Sequence, residues 1–440
     1  MNFSDLRRKL PLGFQTFAEL RTRDVVYVDK TAYVYELAAN QFAQILTRPR
    51  RFGKSTLLST IEELFRHGVK PYDGHDSYFK GLAIESLWHD DGSYFVLHLD
   101  FSNLNAGRTA SGFRMAVMES IASFCHAHEL TVPEQPSDFG AIFNSMLEQL
   151  APASFVLLID EYDSPLLYHA DDAQELQICK DLLRQLYNAV KTHSNKFRCV
   201  FFTGITRFQD LDLGTSGNNF TDLSLDPEFV ACCGYTRAEI KQYFVQHLRY
   251  AAAVRAGCAL ETVSDAQIEI LLDDMGAWYD GYSFDGSQQN KVFSTWSVLR
   301  FFANKLAISE PYWGLEEGLG VPQLLKISLE RIDLKEILAQ LNQGEVVIGS
   351  KEFTQSSLIN PKANPYSLLF QAGYLTFIKQ FSPSGKVHLA CPNEETKLSL
   401  ANLLARHFFA LAADICSTDS RREVIEALIR VDPELIGAFQ

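Results

Sequence analysis

Two short stretches carry residue types that together could hold and cleave a phosphoanhydride. The first is Thr47-Arg48-Pro49-Arg50-Arg51-Phe52-Gly53-Lys54-Ser55-Thr56, which follows an apolar run and precedes a helical pattern. Glycine, lysine and a hydroxyl residue at the mouth of a helix are the end of a phosphate loop. The backbone N–H groups of such a loop and the positive end of its helix wrap phosphate oxygens. Lys54 then reaches the β- and γ-phosphates, and the Ser55 hydroxyl ligates Mg²⁺. On this reading Arg50, Arg51, Phe52, Gly53, Lys54, Ser55 and Thr56 form the loop that binds ATP. Arg48 stands where the pattern's first glycine belongs, so the loop turns differently or begins later. The bland alternative is an ordinary helix N-terminus whose lysine and serine are solvated.

The second stretch is Val156-Leu157-Leu158-Ile159-Asp160-Glu161, an apolar run ending in two carboxylates. Two acids at the end of a buried strand are costly unless a cation or a donor meets them. Asp160 suits a water-mediated Mg²⁺ contact, and Glu161 suits a base that polarises an attacking water. Further on, Cys199-Val200-Phe201-Phe202-Thr203-Gly204-Ile205-Thr206-Arg207 is another apolar run ending in polar groups. Thr203 sits where a hydroxyl would sense the γ-phosphate, and Arg207 is a candidate phosphate-facing cation, in cis or in trans. The competing reading makes Arg207 a surface arginine paired with a nearby acid.

These residues need a frame that brings strand ends together. Short β-rich runs alternate with helical stretches from about residue 41 to residue 207, the signature of an α/β domain with a mostly parallel sheet. The expected strands are Phe42–Thr47, Tyr94–Asp100, Phe155–Asp160 and Arg198–Thr203; the expected helices are Lys54–His67, Gly112–Glu129, Phe139–Leu150 and Ala173–His193. Each strand is apolar along most of its length and polar at its carboxyl end, as strands buried on both faces with a ligand edge should be. The Tyr94–Asp100 unit lies between the Walker A and Walker B strands. This extra strand accompanies a catalytic Glu beside the Walker B Asp, which agrees with Glu161 as base.

The pattern changes at Thr236-Arg237-Ala238-Glu239, a capping box that opens a helix. Mainly helical sequence follows to about residue 307, broken by a turn-rich aromatic cluster, Trp278, Tyr279, Tyr282 and Phe284, best read as a packed turn. Beyond residue 314 come further helices and a strand pair, Tyr374–Gln380 and Lys386–Ala390, around the turn Ser382-Pro383-Ser384-Gly385. The fold expected is therefore a P-loop NTPase α/β sheet (residues 1–235), a helical lid (236–313) and a winged-helix-like C-terminal region (314–440).

Composition limits the alternatives. With 440 residues, 47% hydrophobic and 21% charged, the chain is globular and long enough for two or three domains. A net charge of −14 argues against a general polyanion-binding surface. No apolar run reaches the length of a membrane helix, and the eight cysteines are scattered without a CxxC pair. Reduced thiols and a cytoplasmic setting are the expectation. His126 and His128 beside Cys125 fall on different faces of a helix and do not make a metal site.

The sequence resembles bacterial AAA-ATPase-like proteins that usually carry a C-terminal PD-(D/E)XK-type nuclease domain. The resemblance rests on Tyr27-Val28-Asp29-Lys30-Thr31, the Arg48–Ser55 loop, Asp160-Glu161-Tyr162-Asp163-Ser164-Pro165, Leu223-Ser224-Leu225-Asp226-Pro227 and Gly234-Tyr235-Thr236. Tyr279-Asp280-Gly281-Tyr282 and Pro392-Asn393-Glu394-Glu395 complete it. It makes Arg48 a family feature, and it implies ATP binding with Mg²⁺, with Tyr27–Thr31, including Asp29, Lys30 and Thr31, lining the base or ribose side. Nuclease chemistry needs an acidic-x-Lys strand that holds a metal; nothing after Ala401 offers one, so that activity is not carried over. The function expected is an ATP-hydrolysing molecular switch, with DNA, a nuclease partner and oligomers left open. The alternatives are a nucleic-acid-binding adaptor working through Leu324–Ala412 with a vestigial loop, and a scaffold that binds ATP without hydrolysing it.

Overall fold

A computed structural model describes residues 9–40, 43–134, 138–207, 220–287, 289–313, 337, 339–340, 344–354, 364–383 and 385–408. Five strands form the central sheet: β1 (Ala43–Thr47), β2 (Phe95–Asp100), β3 (Phe155–Asp160), β4 (Phe197–Gly204) and β5 (Phe220–Asp222). Their order is β2-β3-β4-β1-β5, and every pairing is parallel. This is an α/β arrangement of the P-loop type. The register sets Thr203 beside Leu46 and Asp100 beside Asp160, so the polar strand ends gather along one edge.

Period-two alternation divides the strand residues between two cores. Val156 and Leu158 pack on one face with Leu57, Leu58, Ile61 and Leu64 of helix Lys54–His67. Leu157 and Ile159 pack on the other with helices Ala110–Ala127, Phe139–Gln149 and Ala173–Thr192. All six residues of β3 are buried, which is why its sequence reads as a continuous apolar run. The four expected strands and four expected helices are present to within two residues of their expected ends. β5 was not anticipated; three residues are too short for a periodic signal.

A third cluster joins helices Arg237–Tyr243, Val245–Ala256, Asp265–Tyr279 and Thr295–Ala303 to Val26 and Val28. The expected capping box is made: Thr236 Oγ1 accepts from Glu239 N, and Glu239 accepts from Thr236 N. The aromatic turn is a packed one, with Tyr279, Tyr282 and Phe284 buried. Gly281, at φ 96°, is needed there because a Cβ would stand 2.2 Å from the Pro392 carbonyl oxygen.

A small antiparallel sheet follows, β6 (Val346–Gly349), β7 (Thr376–Phe377) and β8 (Lys386–Ala390), in the order β6-β8-β7. Helices Ser350–Thr354, Pro365–Ala372 and Glu394–Phe408 accompany it. The expected strand pair is therefore shorter on one side and gains β6, whose four residues carry no turn signal of their own. Much of the region expected to be winged-helix-like, including residues 314–336, 355–363 and 409–440, lies outside the described residues. Among the described residues no helix is long and apolar enough to cross a membrane, and no cluster of His, Cys, Asp and Glu could hold a metal by itself.

Candidate functional site

β1 ends at Thr47 and helix Lys54–His67 begins seven residues later, so the connecting loop must turn sharply. Gly53 is the helix N-cap at φ 90°, ψ 22°, a left-handed conformation natural to glycine, and it offers no side-chain cap. The first-turn N–H groups of an α-helix have no intrahelical acceptor. Here Lys54, Ser55 and Thr56 supply those groups, and all three line a cavity of about 690 Å³. Lys54 is almost fully buried, and its Nζ donates to Pro49 O at 3.2 Å across the loop.

Arg48 explains how the loop does without its first glycine. It is fully buried and faces away from the cavity lining, donating to Thr47 O, Ser224 O and Phe229 O, each at 2.8 Å. Its guanidinium lies 4.2 Å from the Phe284 ring centroid. Arg48 is thus a tie between the loop and segment 224–229. Arg51 is a second tie. It adopts φ 68°, donates to Tyr312 O at 3.0 Å and Trp313 O at 3.1 Å, and its own carbonyl accepts from Thr295 Oγ1 at 2.5 Å. The Phe52 ring packs edge-on against Tyr282, Phe284 and Trp313.

At the ends of β3 and β4 the acidic group is tightly positioned. Asp160 is buried, and its Oδ1 accepts from Thr203 Oγ1 and, at 2.9 Å, from Glu161 N. Among the described residues both bonds fall on Oδ1, which leaves Oδ2 for a cation. Glu161 adopts φ 47° and lines the cavity with Lys54. Burial pushes its carboxyl above the ordinary glutamate value, against the pull of Lys54 and Arg50. Asp163, fully buried, accepts from Ile205 N, Thr206 N and Thr206 Oγ1, locking the β3 and β4 exits together. Burial raises its carboxyl as well. Sequence reasoning gave Asp163 no role; three donors converging on one buried carboxylate are visible only once the chain is folded.

The sequence-named residues divide in two. Arg50, Arg51, Phe52, Gly53, Lys54, Ser55, Thr56, Tyr27, Val28, Lys30 and Glu161 line the same cavity. Asp160, next to Glu161 in the chain, and Thr203 do not line it and are linked to each other. Lys30 reaches the cavity wall, but its Nζ is held by Glu239 at 2.6 Å and Ala231 O at 2.7 Å. Asp29 accepts from Thr31 N, Thr31 Oγ1 and Ala83 N. Asp29 and Thr31 therefore build the turn that presents Tyr27 and Val28, and neither lines the cavity. Arg207 is also elsewhere: buried, it pairs with Asp222 at 2.9 Å and borders a separate small cavity beside Arg48. A buried guanidinium needs a carboxylate, and β5 supplies it.

The cavity also has apolar lining, part of it beside the loop: the Trp296 ring centroid lies 5.1 Å from the Arg51 guanidinium. Leu12, Phe14, Val26, Trp296 and Leu299 supply it, and Arg300 lines the same cavity. None of these was named from sequence. They come from the N-terminal segment and helix Thr295–Ala303, far apart in the chain, and each reads locally as an ordinary core residue. One cleft thus gathers helix-start amides, a lysine, a carboxylate and an apolar, aromatic lining. Such a cleft can take a phosphorylated ligand with a flat apolar group.

Residues 11–214 match the family described as predicted AAA-ATPase. Over 416 residues the chain is 28% identical to an "uncharacterized protein in vnfD 5'region" of Azotobacter chroococcum mcd 1, spanning 93% of this chain and 72% of that one. The matched segment contains β1 to β4, the loop and both carboxylates. The similarity to the predicted AAA-ATPase family therefore covers the sheet and the loop, the part of the chain that carries the cavity's charged residues other than Arg300.

Proposed function

Proceeding from that family match, we propose that the chain binds ATP with Mg²⁺ in this cavity and hydrolyses it, as a nucleotide-dependent switch. One observation carries the reading: the open first turn of helix Lys54–His67 and the carboxylate of Glu161 line the same cavity. The donor set fits the metal, since the Ser55 hydroxyl, and Asp160 through water, would hold Mg²⁺. When bound, the ion neutralises charge on the phosphates.

The chain's own residues do the rest. Lys54 and the N–H groups of the loop orient the β- and γ-phosphates. Glu161, its carboxyl raised by burial, accepts a proton from the attacking water more readily than an exposed glutamate would. Thr203 acts as a positioning residue: its hydroxyl is committed to Asp160. Arg207 serves the structure, and a phosphate-facing cation in cis is better sought in Arg50 or Arg300. The apolar lining takes the base.

The switch follows from Arg51. Its guanidinium holds the Tyr312 and Trp313 carbonyls, whose amides donate to Glu395 at the start of the C-terminal helix, at 2.6 and 2.9 Å. A loop that rearranges around phosphates therefore pulls on the lid (236–313) and on the C-terminal region (314–440), which we read as winged-helix-like. Phosphate release tests the chemistry. Glu161→Gln should lose at least about a hundredfold in turnover while still binding Mg-ATP; unchanged turnover would remove Glu161 from the base role.

A further inference from the structure

Cys232 and Cys233 are adjacent in sequence, both buried from bulk solvent, and both line the nucleotide cavity. They close the short 3-10 turn Pro227–Cys232, with Cys233 already extended. The segment around them is fastened at three points, two on the phosphate loop and one on Lys30. Phe229 O accepts from Arg48 at 2.8 Å, Ala231 O accepts from Lys30 at 2.7 Å, and Gly234 N donates to Phe52 O at 2.9 Å. Two cations, Arg48 and Lys30, thus stand beside a pair of neighbouring thiols.

Burial works against a charged sulfur at Cys232. The thiol hydrogen bond from Cys233 and the Arg48 and Lys30 charges outweigh it and carry Cys232 below the ordinary cysteine value, while Cys233, the donor, is raised. Other buried cysteines lack that setting. Burial pushes Cys179 and Cys199 up to about 12, and neither lines the cavity. A thiolate-prone sulfur with a thiol neighbour, reached through an open cavity, has the features of a redox-sensitive cysteine.

We propose that Cys232 and Cys233 form a peroxide-sensitive thiol pair whose oxidation to a vicinal disulfide loosens the phosphate loop. The Cys232 thiolate attacks one oxygen of hydrogen peroxide, the O–O bond breaks, and the departing hydroxide leaves as water, giving a sulfenic acid. The Cys233 sulfur then attacks Cys232, the S–O bond breaks and a second water leaves. Two thiols and one peroxide become one disulfide and two waters; the thiols are oxidised by two electrons and the peroxide is reduced. Closing a ring between adjacent residues changes the 232–233 peptide geometry and draws Gly234 away from Phe52 O. The oxidation stands on the thiol pair alone; its effect on ATP rests on the function proposed above.

The test uses the full chain. It is exposed to hydrogen peroxide with and without Mg-ATP, quenched with iodoacetamide and mapped by peptide mass. The expected result is that the 232–233 peptide loses two hydrogens and its alkylation before Cys258, which is half-exposed, is oxidised. Dithiothreitol reverses the change, and Mg-ATP slows it. The oxidised chain should bind Mg-ATP about fivefold more weakly, the worth of one hydrogen bond. Cys233→Ser should stop at a Cys232 sulfenic acid that dimedone traps; if that variant does not fold, the native mapping still decides. A pair that survives peroxide sufficient to oxidise Cys258 overturns the proposal, and so does an oxidised chain that binds as tightly as before. A chain that never binds Mg-ATP but forms the disulfide defeats the nucleotide reading and leaves the thiol chemistry standing.

Discussion

Glu395 ties helix Glu394–Phe408 to Ser297, Tyr312 and Trp313, and its burial makes a definite prediction about pH. Its carboxylate accepts from Ser297 Oγ at 2.7 Å, Tyr312 N at 2.6 Å and Trp313 N at 2.9 Å, with the Arg51 charge nearby. All of these favour the ionised form, yet complete burial outweighs them and raises the group from 4.5 to about 7. Between those values the folded chain holds a proton that the unfolded chain has released. The contribution to stability is therefore fully present below about 4.5 and is lost as pH rises through about 7. A displacement of that size corresponds to about 3 kcal/mol. Glu395→Gln keeps the shape and cannot ionise, so its stability should lack this group's share of the fall over this interval. Melting temperatures of both proteins at pH 5 and pH 8 test this: the variant should gain on the native chain by on the order of 5 °C between the two. Parallel pH profiles would refute the reasoning, since the ionised carboxylate would then cost nothing in its site.

Two further predictions concern the arginines. Arg48→Met leaves three buried carbonyls without their donor and should cost about 3–5 kcal/mol in a denaturation experiment; a loss under 1 kcal/mol would mean the ties to residues 224–229 carry little. Arg207→Ala breaks the buried pair with Asp222 and should destabilise the chain by a comparable amount, about 3–5 kcal/mol. Its turnover per folded molecule should nevertheless stay within about threefold of native, whereas an arginine acting on the γ-phosphate would cost about a thousandfold or more.

Sequence and structure agree where local pattern and tertiary role coincide. Helix Lys54–His67 and strand Phe155–Asp160 were readable residue for residue, because a buried strand and an amphipathic helix write their periods directly into the chain. Lys54, Ser55 and Glu161, named from sequence because phosphate-loop and carboxylate chemistry would need those types at strand ends, do line one cavity. Arg48, Asp29 and Arg207 carry the same charges as ligands do, and only the fold shows that they hold backbone or a neighbouring acid instead. The apolar lining was illegible. Phe14 and Trp296 lie far apart in sequence and line one cavity only when helix Thr295–Ala303 packs beside Val26 and Val28. Sequence left residues 314–440 the least determined, and the described part adds a third strand, β6, to the expected hairpin.

The central claim is that the cavity above Gly53-Lys54-Ser55 binds Mg-ATP, and thermal stability with added nucleotide tests it most directly. At a concentration a hundred times the dissociation constant, binding should add about 2.7 kcal/mol to the native chain and raise its melting temperature. Lys54→Ala should melt normally without nucleotide and lose that rise. A native chain whose melting temperature is indifferent to Mg-ATP, or a Lys54→Ala variant stabilised as much as the native chain, would contradict the account.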